Sequence, residues 1–209
     1  MGINRHKVFV SYYHHDDQKY KESIIKWEYY NKDKGKYETI FDNYSVGNGD
    51  IDDEKLTDEQ IRRIIKKEYI NEASVLLLLC GKETKNRKHI DWEIQAAMHG
   101  DGEDKLGIVV INLPTINQGK RVADTSEKEL ISPNGQWITL TSRKEYEDNY
   151  PYMPSRIIDN FEKKIPIAVV DWERINENKT ILIELIDNAF NRRENIKYDY
   201  SAPLRRKNS

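Results

Sequence analysis

Short, continuous apolar segments recur along the chain, and amphipathic helical patterns lie between them. The clearest segment is residues 75–80, and residues 8–10, 106–113 and 165–170 are similar. Continuous apolarity over so few residues is typical of strands that are covered on both faces, as in a parallel sheet. Strands that alternate with helices predict an α/β fold. We expect a flavodoxin-like, three-layer fold with a central, mostly parallel five-stranded sheet.

The boundaries of the elements follow from the same patterns. The strands are predicted at residues 6–13, 38–41, 74–80, 106–113 and 165–170, with a further short strand near 137–140. The helices are predicted at about residues 16–30, 57–69, 88–99 and 175–193. Thr57 and Gln60 form a capping box at the start of the second helix. We expect residues 1–209 to be a single domain with an irregular insertion at about 114–164 and a short, frayed basic tail at 205–209.

Composition excludes several classes of function. The 34 basic and 36 acidic side chains give a net charge of −2, without the basic excess of a nucleic-acid-binding protein. The single cysteine, Cys80, allows no disulfide within the chain and favours a reducing compartment. The apolar runs are far shorter than the roughly 20 residues of a membrane span, and the polar start does not resemble a signal peptide. We therefore expect a cytoplasmic protein that binds neither nucleic acid nor membrane.

Common catalytic motifs are missing from the sequence. It contains no phosphate-binding P-loop, no dinucleotide-binding glycine motif after the first strand and no nucleophile elbow. Residues 14–17, His-His-Asp-Asp, carry metal-ligating atoms, but adjacent loop residues rarely converge on one ion, and we expect no metal site. The aspartates there are expected to cap the first helix. A phospho-receiver domain would need acidic residues after the first and third strands. This chain has Tyr-Tyr-His at residues 12–14 and Cys-Gly at residues 80–81 instead, so it does not fit that class.

Ligands of parallel α/β sheets bind in the loops outside the carboxyl ends of the strands. In this chain those loops are residues 11–17, 42–56, 81–88, 114–136 and 171–174. The polar loop at 42–56 is long for a connection in a compact domain, and such loops are often functional.

Glu93 is the most informative polar residue near that edge of the sheet. At 100° per residue, Ile90, Ile94, Ala97 and Met98 form the core-facing stripe of their helix, and Glu93 lies at about 300°, at the edge of the stripe. The position early in the helix favours the ionised carboxylate. Such a group could stabilise a cationic transition state. On geometry alone, an ordinary glutamate at the core boundary is the simpler interpretation.

Two segments resemble a known family. Residues 8–12, Val-Phe-Val-Ser-Tyr, with Asp16 downstream, resemble the opening strand of a TIR domain. Residues 75–84, then Arg87 and residues 91–94, Asp-Trp-Glu-Ile, are similar to the third strand and following helix of the TIR-like proteins of bacterial Thoeris antiphage systems. The resemblance covers roughly residues 6–113.

The resemblance implies an activity and its catalytic residue. In that family an aromatic-Glu-Ile step carries the catalytic glutamate, and Glu93 matches it. A tryptophan that the family commonly has a few residues earlier is replaced by His89, and Trp92 stands directly before Glu93. The implied reaction is cleavage of NAD⁺ at the nicotinamide–ribose bond, with NAD⁺ as substrate and no cofactor or metal. The implied product is a nucleotide signal, a cyclic ADP-ribose isomer or an ADP-ribose conjugate, that activates a partner effector protein. A phage-derived trigger and a homo-oligomer are further implied partners.

The residues that we assign to substrate binding lie next to the predicted loops. They are Ser11, Tyr12, Tyr13, His14, Asp42, Asn43, Tyr44 and Trp92. The aromatic residues after strand one could stack on a base or contact the ribose, or they could simply pack at an interface. Asp42, Asn43 and Tyr44 open the 42–56 loop, where turn formation is the alternative. Trp92 could instead brace its helix against a neighbour.

Two other functions remain open at this stage. Many TIR domains are scaffolds that associate with one another and need no glutamate at this position. A nucleoside ribosyltransferase could share the same fold. Incubation with NAD⁺ separates them, because nicotinamide release, absence of turnover and base exchange are three different results.

Overall fold

Five strands of the described residues form one parallel sheet. The computed structural model describes residues 5–45, 55–70, 72–100, 104–116, 125–135 and 137–208. The strands of the sheet are β1 (Lys7–Ser11), β4 (Asp42–Asn43), β5 (Val75–Cys80), β6 (Gly107–Asn112) and β7 (Ala168–Asp171). Their order is β4-β1-β5-β6-β7, and every pairing is parallel. The predicted flavodoxin-like fold is therefore confirmed.

The two central strands show why continuous apolar runs predicted this sheet. Every residue of β5 and of β6 is buried. Leu76 and Leu78 contact one helical layer, and Leu77 and Leu79 contact the other, because alternate side chains of a strand point to opposite faces. Both faces of the sheet must therefore be apolar.

The helices form the two outer layers of the fold. They are α1 (His14–Ile24), α2 (Asp58–Ile64), α3 (Lys88–Met98), α4 (Thr125–Ile131), α5 (Arg143–Asn149), α6 (Ser155–Glu162), α7 (Trp172–Glu177) and α8 (Lys179–Arg192). Helices α2, α3, α5 and α6 pack on the face of the sheet that includes Phe9. Helices α1, α4, α7 and α8 pack on the face that includes Val8 and Val10. No helix among the described residues is both long enough and apolar enough to cross a membrane.

The segment after α1 differs from the prediction. The predicted helix to Tyr30 ends at Ile24. The predicted strand at 38–41 is shifted to β3 (Lys36–Thr39), which lies outside the five-stranded sheet and forms an antiparallel hairpin with β2 (Glu28–Asn31). The buried Glu38 carboxylate accepts hydrogen bonds from the Asn31 amide at 2.7 Å and from Lys34 Nζ at 3.1 Å. These contacts and Gly35, with a φ of 61°, hold the turn that closes the hairpin.

The region predicted as irregular contains helices α4, α5 and α6. Residues 137–140, predicted as a strand, form neither a strand nor a helix. Helix α5 was not predicted because it is short and polar and buries only Tyr146 along its length. Its start is a capping box, in which Ser142 and Glu145 satisfy each other's backbone amides. The same motif at Thr57 and Gln60 confirms the prediction for α2.

The end of the chain also differs from the prediction. The last predicted helix is divided at Asn178, whose side chain caps α8. The basic tail, predicted to be frayed, lies along α3. The Arg205 carbonyl accepts a hydrogen bond from Trp92 Nε1 at 2.7 Å, and Asn208 Oδ1 accepts one from the Lys88 amide at 2.9 Å. Arg206 pairs with Asp58 of α2. These partners explain why the tail is ordered, since they satisfy its backbone and its charges.

Candidate active site

The exit of β5 determines where α3 begins. Thr84 Oγ1 accepts a hydrogen bond from the Gly81 amide at 2.8 Å and donates one to the Leu79 carbonyl at 3.2 Å. This tight turn reverses the chain directly after the strand, and α3 follows at Lys88. Glu93 therefore lies in the second turn of a helix that packs on the sheet beside β1.

Glu93 contacts Ser11 in the interior of the protein. The Ser11 hydroxyl donates a hydrogen bond of 2.6 Å to Glu93 Oε2. The exposed fractions of Ser11 and Glu93 are 1% and 5%. The structure thus places Glu93 inside the buried stripe of α3 rather than at its edge. Ser11 is the last residue of β1, so the contact lies at the carboxyl end of the sheet.

Burial raises the pKa of Glu93 to about 7, and the Ser11 hydrogen bond opposes this rise. The cause is desolvation, because a buried site of low dielectric disfavours the charged carboxylate. A cation beside Glu93 would favour ionisation. The ionised form of Glu93 is therefore stabilised when positive charge develops in a ligand beside it. Strongly perturbed buried carboxyls of this kind are often functional.

Tyr12 and His14 lie on the other side of β1. Tyr12 packs in the layer of α1, and its hydroxyl donates a hydrogen bond of 2.6 Å to Gln18 Oε1. The hydroxyl is 3.1 Å from His14 Nδ1. Burial and, second, the charge of Glu93 raise the pKa of Tyr12. Tyr12 is therefore within electrostatic range of Glu93, although it does not share the face of Ser11.

Tyr13 shares the face of Ser11 and contacts a residue that the sequence analysis did not assign to the site. The Arg87 guanidinium lies 3.9 Å from the centroid of the Tyr13 ring. Tyr13 also packs against the apolar layer that includes α3. The excess of basic residues in the predicted loop 81–88 was the available signal for Arg87, but it did not distinguish Arg87 from its lysine neighbours.

Asp17 is a second buried carboxyl at this edge. It is 1% exposed, and its Oδ2 atom has no hydrogen-bond partner among the residues that the structure describes. Burial and, second, the charge of Asp16 raise the pKa of Asp17 to about 6. A Cβ atom on Gly81 would lie 2.5 Å from Asp17 Oδ2, so this position accepts glycine alone without movement. Asp17 lies within the first turn of α1 and is not its cap, because α1 begins at His14 and Tyr13 is the cap residue.

Trp92 lies on the back of α3, away from β1. It is fully buried, and the only direct hydrogen bond of its indole among the described residues is to the Arg205 carbonyl. His89 packs edge-on against it, with ring centroids 4.8 Å apart. Trp92 thus braces α3 against the tail of the chain, and its role as a substrate contact stays a prediction.

Asp42, Asn43 and Tyr44 lie beside the first half of β1. Asp42 and Asn43 form β4 and pair with Lys7 and Val8, and Lys7 Nζ lies 4.9 Å from the centroid of the Tyr44 ring. Val8 is three residues before Ser11, about 10 Å along a strand. The structure therefore does not bring these three residues to Glu93, and their contact with substrate stays a prediction. Residues 46–54 of the predicted 42–56 loop lie outside the described residues.

Two surface cavities lie near the opposite edge of the sheet. One, of about 490 Å³, is lined by α2, by Lys66 and Lys67 directly after it, and by His99, Gly100 and Asp104. The other, of about 720 Å³, is lined by residues 163–166 and 191–197. Neither includes Ser11 or Glu93, and the chemistry at the carboxyl edge makes Glu93 the stronger candidate.

Within the described ranges, no three His, Cys, Asp or Glu side chains gather closely enough to hold a metal ion.

The fold defines a class. A parallel sheet in the order β4-β1-β5-β6-β7 between two helical layers is the architecture of a flavodoxin-like, TIR-like α/β domain. The family model "Thoeris protein ThsB, TIR-like domain" matches residues 9–118, more than half of the chain. The chain belongs to this family. Searches of curated proteins and of solved structures gave no significant match.

Proposed function

We propose that the protein cleaves NAD⁺ at the bond between nicotinamide and ribose, with Glu93 as the catalytic carboxylate. The observation that carries this proposal is the buried contact of 2.6 Å between Glu93 Oε2 and the Ser11 hydroxyl at the ligand-binding edge of the sheet. Membership of the Thoeris TIR-like family indicates a role in antiphage defence and supports the proposal.

The reaction would use the charge of Glu93 rather than a covalent bond to it. When the glycosidic bond breaks, its electron pair leaves with nicotinamide, and the ribose carbon becomes oxocarbenium-like. A carboxylate close to that ring stabilises the positive charge, and the low dielectric of the site strengthens the effect. Ser11 holds one oxygen of the carboxylate in place and favours its ionised form. NAD⁺ is a substrate in this scheme and carries out no redox step.

The acceptor of the ADP-ribose determines the product. Water would give ADP-ribose, an internal nucleophile would give a cyclic isomer, and another molecule would give a conjugate. We propose that the cyclic or conjugated product is a signal that activates a partner effector protein during phage infection. A defence enzyme of this kind must be silent in healthy cells, so we also propose a phage-derived trigger and activation by self-association.

The test is nicotinamide release by the wild type and by Glu93→Gln, with lysate of infected and of uninfected cells. The substitution keeps the shape of the side chain and removes its charge, and we expect turnover to fall more than about 100-fold. Glu59→Gln is the matched control, because Glu59 is an exposed helix residue on α2, with 72% of its side chain exposed. We expect the control to retain full activity.

Three outcomes would contradict the assignment. Release by Glu93→Gln at close to the wild-type rate would remove Glu93 from catalysis. Absence of release by the wild type in every lysate, over a wide range of protein concentration, would favour a scaffold without enzymatic activity. Base exchange without net cleavage of NAD⁺ would instead identify a ribosyltransferase.

A further inference from the structure

Arg87 is held in an arrangement that a surface ion pair does not explain. Its guanidinium lies 3.9 Å from the centroid of the Tyr13 ring, and one terminal nitrogen donates a hydrogen bond of 2.8 Å to Glu83 Oε2. The Nε atom is buried, and no group in the described part of the chain makes a hydrogen bond with it. A buried donor without a partner costs free energy, so the arrangement is not the most stable one for an isolated arginine.

The pair with Glu83 contributes little to stability. The two side chains are four residues apart, and their exposed fractions are 25% for Arg87 and 40% for Glu83. Ion pairs at such exposure are worth about 0–1 kcal/mol. The pair does orient the guanidinium, and the Tyr13 ring fixes its plane. Both contacts thus prepare Arg87 for a ligand that supplies an acceptor to Nε.

The stacked side chains of Arg87 and Tyr13 lie next to the contact between Ser11 and Glu93. Tyr13 follows Ser11 by two residues, and alternate residues along an extended chain point to the same face. Arg87 directly precedes α3, and Glu93 lies six residues later, about 9 Å along the helix axis. Both contacts therefore join the exit of β1 to α3. A ligand whose ribose lies against Glu93 can extend along this junction to Arg87.

The positive charge of the surrounding loop favours an anionic ligand. Residues 82–88 carry one acidic side chain, Glu83, and four basic side chains: Lys82, Lys85, Arg87 and Lys88. A positive loop at the ligand edge of a parallel sheet attracts a negatively charged group. The planar guanidinium offers parallel N–H donors that match the oxygens of a phosphate.

We propose that Arg87, held by Tyr13, binds the diphosphate of the dinucleotide substrate and so determines specificity for NAD⁺ over its nucleoside. This inference rests on the proposed function, since it assumes that the scissile ribose lies at Glu93. When the ligand binds, Arg87 Nε and a terminal nitrogen of Arg87 donate hydrogen bonds to phosphate oxygens. The terminal nitrogen that donates to Glu83 in the free protein gives up that hydrogen bond. Arg87 is a specificity residue in this scheme, and Tyr13 is a positioning residue.

The experiment is a calorimetric titration of the full-length protein with ADP-ribose, which keeps the diphosphate and lacks the scissile bond. We expect Arg87→Gln to weaken binding about tenfold or more and Arg87→Lys to have an intermediate effect, because lysine keeps the charge and loses the fork. Arg63→Gln is the matched control. Arg63 also pairs with a glutamate four residues away, Glu59, and lies on α2 away from the site. We expect it to bind ADP-ribose as the wild type does.

The ratio of turnover between two substrates gives a second readout, and a purely structural role of Arg87 would not change it. Nicotinamide riboside keeps the scissile bond and lacks the diphosphate. We expect Arg87→Gln to lower kcat/KM for NAD⁺ about tenfold and to leave kcat/KM for nicotinamide riboside within about twofold of wild type. An equal loss for both substrates would overturn the proposal.

The outcomes of the titration separate this inference from the proposed function. Binding of ADP-ribose by Arg87→Gln with wild-type affinity overturns the proposal, and so does an equal loss in Arg63→Gln or a wild type that binds no ADP-ribose. A wild type that binds ADP-ribose and releases no nicotinamide contradicts the proposed function alone. In that case the Arg87→Gln titration still decides the role of Arg87.

Discussion

Asp91 and Glu93 are two carboxylates on one helix, two residues apart, with opposite surroundings. Asp91 accepts hydrogen bonds from Arg156 Nε and from a terminal nitrogen of Arg156, at 2.9 and 3.1 Å, and from the Arg205 amide at 2.9 Å. Arg156 is 2% exposed. Glu93 accepts one hydrogen bond, from a neutral hydroxyl, and no cation pairs with it among the described residues.

The difference shows that the environment, not the residue type, determines the role of a carboxyl. The charge of Asp91 is balanced by a buried guanidinium, and this pair joins α3 to α6 and to the end of the chain. The charge of Glu93 is unbalanced, so burial raises its pKa to about 7. Asp91 is suited to holding the helix in place. Glu93 is suited to meeting a positive charge that a ligand brings.

The largest expected effect on stability comes from Asp91. Asp91→Asn would leave the Arg156 guanidinium buried without a counter-charge, and breaking a buried ion pair in this way costs about 3–5 kcal/mol. We expect a loss of this size in the free energy of unfolding, measured by urea denaturation. Asp148→Asn is the matched control, since Asp148 pairs with Lys144 on the surface with 60% of its side chain exposed, and we expect a change below about 0.5 kcal/mol. A small effect of Asp91→Asn would show that the pair does not support α3.

The second prediction concerns Glu93 and the pH dependence of stability. Its pKa is about 7 in the folded state, against 4.5 for an unperturbed glutamate, so the folded state holds the proton more tightly. The stabilisation from the protonated carboxyl is fully present below pH 4.5 and is lost as the pH rises through 7. Glu93→Gln removes this dependence. We therefore expect the variant to gain stability over the wild type between about pH 5 and pH 8, by up to roughly 3 kcal/mol.

The measurement is urea denaturation of both proteins at about pH 5 and pH 8, on either side of the folded-state pKa. Asp17, whose pKa burial raises to about 6, titrates in both proteins and cancels in the difference. A difference between variant and wild type that is the same at both pH values would show that Glu93 is not a buried, uncompensated carboxyl.

The smallest expected effect is a shift in a pH profile. The Ser11 hydroxyl favours the ionised form of Glu93, so Ser11→Ala should raise the pKa of that carboxyl further. If turnover needs the carboxylate, kcat/KM for NAD⁺ rises with pH through about 7 in the wild type, and the midpoint moves upward in the variant by up to about one pH unit. Ser74→Ala is the control, because the Ser74 hydroxyl donates to the Lys7 carbonyl at the other end of β1. An unchanged midpoint in Ser11→Ala would remove Ser11 from the catalytic site.

Local patterns in the sequence determined the frame of the fold. Strands β1, β5 and β6 were predicted because a strand buried on both faces must be continuously apolar. Helix α3 was predicted because its apolar residues repeat at helical spacing, and the start of α2 was predicted from Thr57 and Gln60. These signals depend on neighbours in the chain. The position of Glu93 near the ligand edge follows from the same local pattern.

Tertiary structure alone decided which polar groups meet. Ser11 and Glu93 are separated by 82 residues, and Asp91 and Arg156 by 65. No periodicity encodes such pairs, because a buried polar group acquires its partner only when distant elements pack together. The same holds for Arg87 on Tyr13 and for the tail that lies along α3. Residue type and spacing therefore predicted where a site could form, and the desolvation and contacts of the folded state decided which carboxyl is left with an uncompensated charge.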